Sequence, residues 1–284
     1  MADLLLDPLA HGFFVRALAA AVLVGTVCAV VGTFVVLRGL AFIGDAISHA
    51  AFPGVVAAYL VKGSFYVGAG VAAVATALAI GAVSRRARIR TDTAIGVLFA
   101  GTFALGVFMF SAISGYVADL FGYLFGYLLS IGPDDLAGLA LLSAVVLGLV
   151  AVFWKELLYA TFDPLGAGAS GLPVERLESL FLVLVALTIV VSLQAVGIIL
   201  VVAMLVTPAA TAQMLTLRFA RMMGLAAVVG IGSAVAGLYL SYWLNVASGA
   251  TIVLVQTALF LVVLALGPRT GLLAHRRTRR ARAR

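Results

Sequence analysis

The chain has 284 residues, 64% of them hydrophobic and only 10% charged, with a net charge of +7 and a mean hydropathy of +1.24. That balance excludes a water-soluble domain, which needs far more polar surface to enclose a core of this size. A transmembrane β-barrel is excluded as well, because the apolar runs are continuous and lack the alternation of barrel strands.

In chain order, apolar spans are expected at about 13–37, 41–61, 66–84, 93–113, 136–154, 177–193, 195–216, 222–244 and 250–267. Most approach the roughly 20 residues that cross a ~30 Å hydrocarbon layer. The second run is interrupted by polar residues and a proline, so the expected class is an all-α polytopic membrane protein of eight or nine transmembrane helices. The first run is too long for a signal-peptide core, has no basic residues ahead of it and is followed by further spans; it is expected to be a retained helix. It carries Cys28, the one cysteine, so neither a disulfide nor a thiolate metal cluster is available within one chain. A Cu(I) site loses its main support with that.

The basic residues are unevenly placed. Arg85, Arg86, Arg88 and Arg90, the stretch 155–176, Arg218 with Arg221, and the end of the chain hold most of them, whereas the loops around 62–65, 114–135 and 245–249 hold almost none. Putting the basic loops in the cytoplasm is self-consistent with nine spans, an outside N-terminus and an inside C-terminus, and it leaves Arg38 inside. The membrane domain is expected over 1–270, followed by a basic cytoplasmic tail over 271–284. Basic clusters lying next to apolar runs suit anionic lipid headgroups, not nucleic acid, since no folded basic domain accompanies them.

Two regions are not simple spans. Residues 116–131, with Gly122, Gly126 and interleaved aromatics, are expected to form a short or re-entrant helix near the outer surface. The inside loop 155–176 is the longest on its side and carries the turn signal Asp163-Pro164 followed by Gly166. A loop of that length in a compact membrane protein is either functional or a plain connector, and composition alone does not choose. Glycine and proline also fall inside apolar runs at Gly44 and Pro53 and again at Gly197 and Pro208, as in the paired broken helices of transporters, but the match is too loose to establish a repeat.

The most informative stretch is 38–54, Arg-Gly-Leu-Ala-Phe-Ile-Gly-Asp-Ala-Ile-Ser-His-Ala-Ala-Phe-Pro-Gly. Asp45 and His49 are four residues apart and share one helix face, with Ser48 nearby. An ionisable group at membrane depth costs a few kcal/mol or more and is tolerated mainly on a protein-facing or water-facing surface. Carboxylate oxygen with imidazole nitrogen suits Zn²⁺, Mn²⁺ or Fe²⁺. Gly44, Pro53 and Gly54 flank the pair and, with Pro208, are candidate helix breaks exposing backbone to a cavity. The bland alternative is that Asp45 caps a helix and His49 only hydrogen-bonds across helices. Two ligands do not complete a site. Asp119, Gln213, Asn245 and Gln256 are further polar groups near spans, and Ser48, Gln194 and Thr207 are candidate additional path-lining residues.

Some motifs are missing. The sequence has no Gly-x-x-x-x-Gly-Lys-Ser/Thr phosphate loop, no His-Glu-x-x-His and no Gly-x-Ser-x-Gly elbow, which argues against an ATPase, an intramembrane metalloprotease and a serine hydrolase. Any ATP-driven transport needs a partner subunit to hydrolyse the nucleotide.

Three segments together resemble the metal-ion permeases of ABC importers, the family-three permeases for zinc, manganese and iron. In 38–54 the residues Gly44, Asp45, Ala46, Ser48, His49, Pro53 and Gly54 match that family's pattern. In 157–171, Phe162-Asp163-Pro164, Ala167 and Gly171 resemble its ATPase-docking segment, and 194–212, with Thr207-Pro208, resembles a later apolar helix. Residues 119–135 and 248–253 also fit. The resemblance implies a type II importer-like helical fold in a bacterial inner (plasma) membrane and a second permease copy, most simply a homodimer. It also implies cytoplasmic ATPase subunits and an extracytoplasmic metal-binding protein. It implies a metal path along Asp45 and His49, an ATPase coupling loop with Phe162, Asp163, Pro164 and Gly166, and no tightly bound cofactor apart from the transported divalent metal. An ion-coupled secondary metal transporter working without an ATPase, or a scaffold without metal cargo, are the competing expectations.

Overall fold

The structure, a computed structural model, describes residues 6–113 and 128–266. All the regular elements in these residues are helical. They are α1 (Gly12–Leu37), α2 (Ile43–Ala50), α3 (Phe52–Leu60), α4 (Phe65–Ala87), α5 (Thr91–Ser111), α6 (Pro133–Val152), α7 (Trp154–Phe162), α8 (Pro164–Ala169), α9 (Val174–Leu215), α10 (Phe219–Leu244) and α11 (Ser248–Leu266), with short 3-10 turns at Pro8–Ala10 and Leu128–Ser130. Among the described residues nine helical segments are long and apolar enough to cross a membrane, α2 with α3 counting as one span, Ile43–Leu60, and α9 as two, Val174–Leu193 and Ala195–Leu215. The expected piece at 116–131 and the tail 271–284 lie largely or wholly outside the described residues.

The centre of the bundle is α1 and the two halves of α9. In each, 67% of the most apolar stretch is buried, against 17% in α5 and α11, which form the periphery. Lipid tails are as apolar as leucine, so helices associate through close packing at small residues. A side chain on Gly32 would run into the Leu205 carbonyl, and side chains on Gly54 and Gly68 would each run into the other's carbonyl; these glycines let α1 meet α9 and α3 meet α4 backbone to backbone.

α9 is interrupted at Gly197, whose φ of 75° and ψ of 169° lie outside the helical region and suit a residue without Cβ. The chain turns back there. Phe181, before the interruption, reaches Phe34 near one end of α1, and Ala209 and Ala212, after it, pack with Val36 and Leu37 at that same end.

The basic and the non-basic loops group on opposite faces of the bundle. Arg38 meets Thr161, Arg85 meets Glu178 and Trp154 meets Phe219, all at the basic face. At the opposite face Tyr66 meets Asp135, Arg16 meets the Ile131 carbonyl and Tyr242 meets Asp7.

The inside stretch 155–176, expected as a loop, is largely ordered into α7, α8 and the start of α9. Leu157, Ala160 and Ala167 bury one face of this short helix pair, which is why it folds back on the bundle.

Candidate functional site

Asp45 and His49 both belong to α2, and their 3.6-residue phase brings His49 Nε2 to 3.5 Å from Asp45 Oδ1. Both side chains stay partly open, 46% exposed for Asp45 and 26% for His49, while Ile43, Gly44, Ala46, Ile47, Ser48 and Ala50 on the remaining faces are buried. α2 therefore shows one polar, open stripe inside a membrane-spanning segment. Two ligands about 2.1 Å from one ion at a tetrahedral angle lie about 3.4 Å apart, so the observed separation fits the bite of a single divalent cation.

The imidazole is held from α5. Its ring lies 5.6 Å from that of Phe99 and 5.3 Å from that of Phe103, centroid to centroid, and Phe52 contacts Phe103 and Phe110 from α3. Gly106 makes room, since a Cβ there would stand 2.6 Å from Phe52 Cδ1 and 3.0 Å from Pro53 Cδ. These aromatics were not singled out in the sequence; the i, i+4 spacing of Phe99 and Phe103 was the available signal, but it is indistinguishable from lipid-facing apolar pattern.

The other expected residues divide. Ser48 is fully buried and donates its hydroxyl proton to the Gly44 carbonyl at 2.7 Å, away from the open stripe. Gly44 lies inside α2, where a Cβ would stand 3.1 Å from Leu205 Cδ2, and Gly54 lies inside α3 against Gly68; both serve close packing within helical turns. The interruption between α2 and α3 falls at Ala51, with Pro53 in the first turn of α3. Having no N–H, Pro53 leaves the His49 carbonyl without its usual i+4 donor. Pro208 sits within α9, after the break at Gly197. Thr207 is half-buried on the α9 half that packs on Gly44 through Leu205, and its carbonyl accepts from the Thr211 hydroxyl at 2.7 Å. The side chain of Gln194 lies outside the described residues. Among the described residues no group of three or more His, Cys, Asp or Glu side chains converges at the Asp45–His49 pair or elsewhere.

At the basic face Asp163 caps α8. Its Oδ1 accepts from the Gly166 N–H at 2.8 Å, and Pro164 occupies the first turn of α8, where its missing N–H costs nothing. Gly166 packs directly on the Asp163 carboxylate and leaves no room for a Cβ. Phe162 is 60% and Leu165 86% exposed, which makes this corner an apolar knob projecting from the bundle.

The chain is similar to known proteins over nearly its whole length. The profile of the ABC 3 transport family matches residues 10–267. The chain is 47% identical to the manganese transport system membrane protein MntC of Halalkalibacterium halodurans over 93% of its own length and 91% of that protein. It is 38% identical to the chelated iron transport system membrane protein YfeC of Yersinia pestis, over 98% and 95% of the two chains. Among solved structures it superposes on PsaBC from Streptococcus pneumoniae, in complex with Fab, with a TM-score of 0.84 and 36% identity, covering 97% of this chain and 99% of the other. The match over residues 10–267 makes this chain, with its nine candidate spans among the described residues, a member of the ABC 3 transport family, a multi-pass transport permease.

Proposed function

We propose that this chain lines the translocation path of an ATP-driven importer for a divalent metal ion. Manganese is the first candidate, on the names of its relatives, with iron and zinc as the other ions its ligands suit. The observation that carries the proposal is the Asp45–His49 pair, 3.5 Å apart on the open face of a membrane-spanning helix. Ionisable groups are kept at such depth for a function that uses them.

One pair offers two donors, too few for a filled coordination shell. In a homodimer two such faces meet across a shared cavity, and water with backbone oxygens completes the shell. An extracytoplasmic metal-binding protein delivers the ion from the side of Asp135, and carboxylate and imidazole replace part of its hydration shell. Cytoplasmic ATPase subunits grip the Phe162–Leu165 knob, and their closure opens the cavity inward. The C-terminus lies in the cytoplasm of a bacterium whose inner membrane holds the permease, with the basic clusters facing anionic lipid. Asp163, Pro164 and Gly166 keep the knob in shape; hydrolysis belongs to the partner.

The test is elemental analysis of cells expressing the chain with its ATPase and binding protein, wild type against His49→Ala, at equal membrane abundance. Selective loss of manganese in the mutant is expected, by roughly tenfold or more given the loss of one of two protein ligands. Unchanged metal content would remove His49 from the path. Uptake by the chain alone, without ATPase, would favour an ion-coupled secondary carrier.

A further inference from the structure

At the basic end of α1 one arginine joins the two regions just described. Arg38 Nε donates to Thr161 Oγ1 at 3.0 Å, and that hydroxyl donates in turn to the Leu157 carbonyl at 2.6 Å, both within α7. The guanidinium carbon stands 4.1 Å over the ring of Phe181 on α9. Burial pushes the Arg38 guanidinium down to about 10, with Glu178 acting in the opposite sense, so it remains a cation at physiological pH. Its Nη2 is buried without a partner. A partly desolvated cation with an unsatisfied N–H is a poor device for stability, so its placement calls for another explanation.

The chain on the other side of Arg38 runs directly into α2. Gly39, at φ 69°, closes α1 with its N–H on the Val36 carbonyl at 3.1 Å, and the Leu40 N–H bonds the Val35 carbonyl at 3.0 Å, the Schellman arrangement. The Ile43 N–H then bonds the Leu40 carbonyl at 3.0 Å, and the Ala46 N–H bonds Phe42 at 3.1 Å. Leu40 thus bridges the two helices, its N–H bonded back to α1 and its carbonyl accepting from the start of α2, which keeps the connection between them short. Thr161 stands next to Phe162 and two residues before the Asp163 cap, at the root of the exposed knob.

We infer that Arg38 is a positioning residue that ties α7 to the strap leading into α2, so that displacement of the knob is passed to Asp45 and His49. The inference rests on the permease reading above. A push on α7 moves the Thr161 hydroxyl, which carries the guanidinium with it, and the short strap turns that into a shift of α2 against Phe99 and Phe103. The hydroxyl is the narrowest link, and it can be removed with little change of shape.

The experiment reconstitutes the permease with its ATPase and metal-binding protein in proteoliposomes and measures Mn²⁺ uptake and ATP hydrolysis for wild type, Thr161→Val and Thr161→Ser. Loss of a hydrogen bond to a charged group is expected to lower uptake about tenfold in Thr161→Val. ATP hydrolysis and the KM for Mn²⁺ should stay within about twofold, so that more ATP is consumed per ion, and Thr161→Ser should recover wild-type behaviour. Wild-type stoichiometry in Thr161→Val overturns the tie. So does an equal defect in Thr161→Ser, which would assign the effect to packing, or a rise in KM that accounts for the whole loss. Wild-type complex that takes up no Mn²⁺ with ATP would instead remove the permease reading, and the tie with it.

Discussion

The chain interrupts a helix ahead of a proline twice, at Ala51 before Pro53 within the membrane and at Asp163 before Pro164 on the basic face, and the two interruptions differ in depth. Ala51 keeps helical angles, φ −70° and ψ −22°, and the helical hydrogen bonds persist around it, from the Ala51 N–H to Ile47 at 3.0 Å and from the Val55 N–H to Ala51 at 3.2 Å. Asp163 leaves the helical region altogether, at φ −143° and ψ 81°, and its carboxylate takes over as cap. The difference follows from the medium. Inside the hydrocarbon layer an unpaired backbone group has no water to turn to, so the break stays shallow and α2–α3 still crosses as one span. In water a side chain and solvent serve the freed groups, and the chain can turn a full corner and project Phe162 and Leu165.

If the membrane break is held shallow by packing, the largest effect should come from Gly54→Val. The new side chain meets the Gly68 carbonyl and pushes α3 off α4. A loss of stability at the upper end of about 1–3 kcal/mol or beyond is expected, read as a lowered Tm and loss of monodisperse protein in detergent. Normal Tm would mean that the contact between α3 and α4 is dispensable.

Asp163→Ala probes the aqueous break and should cost about 1 kcal/mol, the usual worth of such a cap. Faster hydrogen exchange confined to 164–169, with weaker recovery of the ATPase in a pull-down, is the expected readout, and Asp163→Asn should restore both. Smallest of the three is Pro53→Ala, within about 1 kcal/mol, because proline sits in the first turn of α3 where its missing N–H matters least. A large drop in Tm there would show that the shallow break depends on the ring itself and on its seat against Gly106.

Much of the architecture was legible in the sequence. The nine runs of apolar residues correspond within a few residues to the nine candidate spans among the described residues, since a span is marked by length and composition alone. That Arg38 and Thr161 fall on one face, and Tyr66 and Asp135 on the other, follows the alternation of basic and non-basic loops. Asp45 and His49 were legible for a local reason too: a charge in an apolar run stands out, and helical phase puts the two on one face.

Other features were not. Ser48 shares the motif with Asp45 and His49, yet it turns inward onto Gly44, and only the packing of α2 against Leu205 decided which face was covered. The same holds for Gly44 and Gly54, which in sequence look like helix breaks and in the bundle are points of close approach.

By itself, then, the sequence determined what depends on neighbours along the chain: the helical class, the spans, the relative sides of the loops and the carboxylate–imidazole pair. The tertiary structure decided what depends on segments far apart. Examples are the aromatic clamp of Phe99 and Phe103 on His49, the reversal at Gly197 and the contact of Arg38 with Thr161 across 123 residues. Period and solvation cost are written residue by residue, whereas in a lipid medium with little hydrophobic drive between helices, partner choice rests on where small residues let two backbones meet.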